Sequence, residues 1–112
     1  MPRELMHDEI EWVNPPDAIE TGTRRGLEQF EEAESALGRA YSSVEIEVER
    51  LVEGGDSVAA ITDVLFHGRG SGIEVRQRMG FLFALREGKI TRFEWSNDPD
   101  RLLVWISSEE NG

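Results

Sequence analysis

Two carboxylates, Asp63 and Glu94, lie inside strand-like apolar stretches. A carboxylate among large apolar side chains is the residue type that serves as a general acid or base. Register decides what surrounds them. The stretch 72–97, GIEVRQRMGFLFALREGKITRFEWSN, reads as two strands joined by a two-residue turn at Glu87-Gly88. That turn predicts Leu85 opposite Ile90, Phe83 opposite Arg92 and Phe81 opposite Glu94. Side chains alternate between faces along a strand, so Met79, Gln77, Val75 and Ile73 join the same face. The glycine-rich connection GRGSG at 68–72 would then pair His67 with Ile73 and Asp63 with Gln77. The predicted constellation is Asp63, Gln77, Arg92 and Glu94 beside Met79, Phe81 and Phe83. Trp12 and Asn14 approach from an earlier strand, and Phe30 from a helix. A water activated by Asp63 or Glu94 and positioned by Gln77 and Asn14 would suit a hydrolytic reaction. A structural reading competes with it: Arg92 and Glu94, two apart on one strand, form a same-face ion pair, and Asp63 and Gln77 bond each other.

The elements that must position these groups are read as follows. Residues 1–7 form a helical stub. Glu9 to Val13 is a short strand with Ile10, Trp12 and Asn14 on one parity, stopped by Asn14-Pro15-Pro16-Asp17. Thr23 caps a helix from Arg24 to Ala40, whose Leu27, Phe30, Ala33, Leu37 and Tyr41 recur at helical spacing. Val44 to Val52 alternates cleanly, with Val44, Ile46 and Val48 inward and Glu45, Glu47 and Glu49 outward. Ser57 to His67 is apolar on both parities, as in a strand covered on two sides. After the hairpin, Asp98-Pro99 opens a last helix, with Leu102, Leu103, Val104, Trp105 and Ile106 as its apolar end. Tight turns between successive strands predict an antiparallel sheet with helices on one side, an α+β domain spanning 1–112.

Composition narrows the function classes. The 112 residues carry a net charge of −11, which opposes binding to phosphate backbones, so nucleic acid is not an expected partner. No apolar run is long enough for a bilayer and no signal-peptide pattern is present, so neither a membrane partner nor export is expected, and the expected location is the cytoplasm. Cysteine is absent, which excludes thiol chemistry and disulfides. His7 and His67 are unpaired in spacing and read as exposed turn residues; no metal or other cofactor is expected. The GRGSG stretch lacks the lysine and following helix of a phosphate loop and reads as a hairpin turn. The second face of the hairpin, with Leu82, Phe93 and Trp95, reads as too apolar for water and hence as a homodimer interface.

The stretches EIEWVNPPDAIETGTRRGLEQF and MGFLFALREGKITRFEW, in this order, resemble the SnoaL-like (polyketide-cyclase-like) branch of the nuclear transport factor 2-like superfamily. The resemblance covers about Glu9 to Ser107. It implies a cone-shaped half-barrel, a strongly curved antiparallel sheet with helices on the concave side, a deep apolar pocket for a small hydrophobic molecule, and frequent homodimers through the sheet. Some members are cyclases, ketosteroid isomerases, epoxide hydrolases or dehydratases. The chain departs from the pattern. The family begins with a long helix where this sequence has a stub. The isomerase base, an aspartate before proline, is matched by Asn14-Pro15, and the acidic residue of the long strand by Phe81.

Three readings follow. The first is a small-molecule-binding domain with Trp12, Asn14, Phe30, Gln77, Met79, Phe81, Phe83 and Arg92 as ligand contacts. The second is a hydrolase, isomerase or cyclase using Asp63 or Glu94. The third is a homodimeric interaction module without a working pocket.

Overall fold

A computed structural model describes residues 2–16 and 18–111, the side chains of Trp105 and of residues 107–111 excepted. Met1 of the predicted stub, Asp17 of the predicted turn and the Trp105 side chain lie outside that description. The remaining stub is a single 3-10 turn, Arg3–Leu5, after which the chain is already extended. Strands β1 (Met6–Asn14), β2 (Gly22–Arg25), β3 (Tyr41–Gly54), β4 (Ser57–Gly68), β5 (Glu74–Arg86) and β6 (Lys89–Ser96) form one sheet in the order β2-β1-β6-β5-β4-β3. Helix α1 (Leu27–Ala40) follows β2, and α2 (Pro99–Asn111) follows β6.

The α+β class and curved sheet follow the sequence expectation, with three differences. Strand β1 runs parallel to β6, while the other pairings are antiparallel. Residues 22–25 are a strand rather than the start of a helix, because they pair with β1, Val13 opposite Thr23 and Trp12 opposite Arg24. Helix α1 therefore begins after Gly26, whose φ of 94° suits glycine and turns the chain out of β2. Third, the helices lie on both faces of the sheet. Phe30 of α1 packs with Met6, Ile10 and Phe93, on the face that also carries Trp12, Phe81, Phe83 and Trp95. Leu102 and Ile106, one turn apart on α2, pack with Ala59, Leu82 and Val52 on the opposite face.

Local chemistry sets both helices. Arg3 pairs with Glu31 at 3.1 Å, tying the N-terminal turn to α1. At the other end of α1 the Arg69 guanidinium donates to the carbonyls of Gly38 (2.8 Å) and Tyr41 (3.3 Å), a cation placed where a helix leaves its last carbonyls unbonded. The Asp98 carboxylate accepts from the Asp100 amide at 3.2 Å, just ahead of Pro99, which needs no amide partner at a helix start. Gly80 admits α2 closely: a Cβ there would lie 3.0 Å from Leu102 Cδ1 and 3.0 Å from Pro99 Cα.

Two register changes reassign the side chains. The Glu87-Gly88 turn has positive φ at both residues (54° and 79°), and Leu85 does face Ile90. Beyond it Thr91 bulges out, its hydroxyl donating to the Ala84 carbonyl at 3.3 Å, and Ala84 faces Arg92. One extra residue exchanges the faces. Phe83 opposes Phe93, Phe81 opposes Trp95, and Leu82 opposes Glu94. The β4–β5 loop closes differently as well. The Gly68 amide bonds the Ile73 carbonyl at 2.8 Å, which sets Asp63 opposite Arg78 and Val64 opposite Gln77.

Strand β3 is an edge strand, and its predicted inward residues are exposed: Ile46 at 54%, Val48 at 52% and Val44 at 39%. Among the described residues no element covers β3 on the face of Val44 and Ile46, so the alternation marks a shared face and not its burial.

Candidate functional site

The aromatic face is built outward from Phe93. Its ring centroid lies 4.9 Å from Trp12, 5.3 Å from Phe83, 5.6 Å from Phe81 and 6.2 Å from Phe30. Trp12 meets Phe30 edge-on at 5.1 Å. Such pairs contribute about 0.5–1.5 kcal/mol each beyond area burial. Phe30 and Phe93 are buried and form the floor. Trp12, Phe81, Phe83 and Trp95 are half-buried and pack around that floor. The site is thus apolar and supplied by α1, β1, β5 and β6.

Its polar group is Asn14, at the end of β1. The Asn14 Oδ1 atom accepts the indole N–H of Trp12 at 2.8 Å and that of Trp95 at 2.9 Å. An indole nitrogen only donates, so the amide oxygen must face the two tryptophans. The proline that follows ends the strand there, and Pro15 is buried.

The predicted site residues divide between the two faces. Trp12, Asn14, Phe30, Phe81 and Phe83 come together as expected. Gln77 and Met79 share that face at greater remove: the Gln77 amide donates to Asn97, and Met79 is buried against β4. Asp63, Arg92 and Glu94 lie on the opposite face because of the two register changes. Asp63 pairs with Arg76 at 2.8 Å. Glu94 is buried beneath α2, 3.2 Å from Arg92 and 3.8 Å from Arg101. The predicted Asp63–Gln77 bond is replaced by the Arg76 pair, whereas the predicted Arg92–Glu94 pair is present.

The proposed interface trio is also separated. Leu82 is buried under α2, Phe93 forms the floor of the aromatic site and Trp95 its wall. Phe93 and Trp95 are therefore the site residues that sequence reasoning missed. A signal for them existed: FLF at 81–83 and FEW at 93–95 share an aromatic-x-aromatic pattern, and burial favours apolar rows facing apolar rows. His67 departs from the exposed-turn expectation. It is the penultimate residue of β4, half-buried, with Nε2 2.7 Å from Glu45 and Nδ1 3.2 Å from Glu74. Among the described residues no three His, Asp or Glu side chains converge to hold a metal ion.

The SnoaL-like domain family model matches residues 3–93. The chain belongs to the SnoaL-like domain family. No curated protein matches it significantly. Solved structures share the fold. A Jannaschia sp. CCS1 protein assigned as a SnoaL-like polyketide cyclase superposes with a TM-score of 0.76 at 21% identity, over 95% of this chain and 76% of that chain. TerC, co-crystallised with polyporic acid, gives 0.72 at 22% identity over 92% of this chain and 81% of that one. A ketosteroid isomerase-like-fold protein from Catenulispora acidiphila DSM 44928, in complex with trimethylamine, gives 0.73 at 19% over 93% and 78%. These likenesses show the nuclear transport factor 2-like fold. Among the described residues no helix of this SnoaL-like domain is long and apolar enough to cross a membrane.

Proposed function

We propose that this SnoaL-like domain binds a small hydrophobic, ring-bearing molecule on the aromatic face and acts in the cytoplasm. The observation that carries the reading is the open wall of Trp12, Phe81, Phe83 and Trp95 over a buried Phe30–Phe93 floor. Apolar walls with few placed polar groups are what small-molecule sites present. Complexes of structural neighbours with polyporic acid and trimethylamine support small-molecule binding on this fold. The reading does not use Asp63 or Glu94, since each is ion-paired on the other face. It is therefore a binding function, and the hydrolase, isomerase or cyclase alternative would need a different base. Calorimetric titration with indane, a planar hydrocarbon, tests it: saturable binding at one site is expected, weakened at least tenfold by Trp12→Ala, and no binding would refute it.

A homodimer remains part of this reading, through a different surface from the Leu82, Phe93 and Trp95 trio. Val44, Ile46, Val48, Leu51 and Val75 stand exposed on the aromatic side of β3 and the start of β5, with Ile73 exposed just before β5. They present on the order of 500 Å² of apolar surface, at the upper end for a monomer. Two such patches bury about 1,000 Å², the lower limit of a specific interface. Edge-to-edge pairing of β3 would bring Glu45, Glu47 and Glu49 against their own copies, so the copies meet face to face. Sedimentation equilibrium showing only monomer at micromolar concentration would contradict this.

A further inference from the structure

We infer that the ligand of the aromatic site carries an acceptor oxygen, a carbonyl or its equivalent, which the Asn14 side-chain amide meets with an N–H. The inference rests on the binding function proposed above and adds the chemistry of the bound molecule. Oδ1 of Asn14 is fully engaged, by Trp12 Nε1 at 2.8 Å and Trp95 Nε1 at 2.9 Å. Both partners are donors only, so the amide cannot turn over without facing a donor to each of them and losing both bonds. The Nδ2 group is consequently held pointing away from the indoles with two hydrogens to give. The amide is half-buried, and its nitrogen is not among the polar atoms sealed off without a partner. Two tryptophans from different strands, β1 and β6, thus fix one donor beside open aromatic surface.

A donor of fixed direction next to an apolar wall selects by shape and by acceptor together. A planar apolar molecule gains the wall alone, and the same molecule with an oxygen at the right edge gains the amide as well. An asparagine at this position cannot accept a proton, so its contribution is to hold and polarise that oxygen. The two indole bonds withdraw electron density from Oδ1 and make the amide hydrogens stronger donors, the cooperative effect expected along a hydrogen-bond chain.

Indane and 1-indanone test this, since they share a bicyclic frame and differ by one carbonyl. Calorimetry gives the dissociation constant of each for the wild-type protein and for Asn14→Asp, whose carboxylate can accept from both indoles but has no hydrogen to donate. The ratio of the indane to the 1-indanone constant should fall about fivefold or more in the variant, the worth of one neutral hydrogen bond. An unchanged ratio with indane still bound overturns the acceptor inference and leaves the binding function standing. Failure of wild-type protein to bind indane overturns the binding function, and the inference with it. Should Asn14→Asp lose indane as well, the wild-type protein decides by NMR: 1-indanone should shift the Asn14 side-chain NH2 resonances and indane should not, and equal shifts overturn the inference.

Discussion

The two ends of the sheet teach different lessons although they belong to one continuous surface. At the β1–β6 end, aromatic side chains from three strands meet α1, and Phe30 and Ile10 are sealed from solvent. At the β3 end, the same face carries aliphatic residues of equal hydrophobicity that stay in water, Ile46 and Val48 more than half exposed. The strand pattern is similarly amphipathic in both. What differs is whether a helix lies over it. Alternation therefore says which residues share a face, and the cover over that face decides whether they are core, site or interface.

Substitutions at the two ends should separate covered from uncovered surface. The largest effect is expected at Phe30→Ala, which empties the floor of the aromatic site and should cost about 3–5 kcal/mol in urea denaturation. The equivalent truncation Ile46→Ala should cost less than about 1 kcal/mol, because most of that side chain is already hydrated. Equal losses at the two positions would abolish the distinction between the ends. On the other face, Gly80→Ala forces a methyl against Leu102 and the backbone of Pro99. It should lower stability by about 1–3 kcal/mol through displacement of α2; a neutral result would mean that the helix is loosely held.

A smaller effect is expected from the charged network. Glu94→Gln removes the carboxylate from between Arg92 and Arg101, both more than a third exposed, so water screens much of the pairing. The loss should be about 1 kcal/mol. Indane affinity should not change, nor should it in Asp63→Asn; a tenfold loss in either variant would return that carboxylate to the site. A small stability effect is also expected for Ile46→Ser with Val48→Ser. The monomer's own stability should stay within about 1 kcal/mol, while sedimentation should shift to monomer. A dimer that survives both changes uses another surface.

Much of this was legible in the chain. The Glu87-Gly88 turn, the Asp98-Pro99 helix start and the order of elements each follow from local residue chemistry, and the family resemblance stands on the same stretches. The shared parity of Trp12 and Asn14, and that of Phe81 and Phe83, likewise put these four on one face with Phe30. What failed was nonlocal. Thr91 could not be read as a bulge, since nothing in KITRFEW marks which residue the opposite strand will skip. The loop after β4 closes on Gly68 and Ile73 with Arg69 anchored to the end of α1, a contact between residues 31 apart in sequence. Each change is one residue, and each moved a carboxylate to the other face. Thr23 carried a genuine helix-start signal that pairing with Val13 overrode.

An amide and indole NMR titration with 1-indanone locates the bound molecule. Shifts are expected at the Trp12 and Trp95 indoles, the Asn14 side-chain amide and the backbones of Phe81, Phe83 and Phe93, with Val44 to Val48 and Val75 unmoved. Shifts gathered on β3 and Val75 instead, or none at saturation of the ligand's solubility, would contradict binding on the aromatic face.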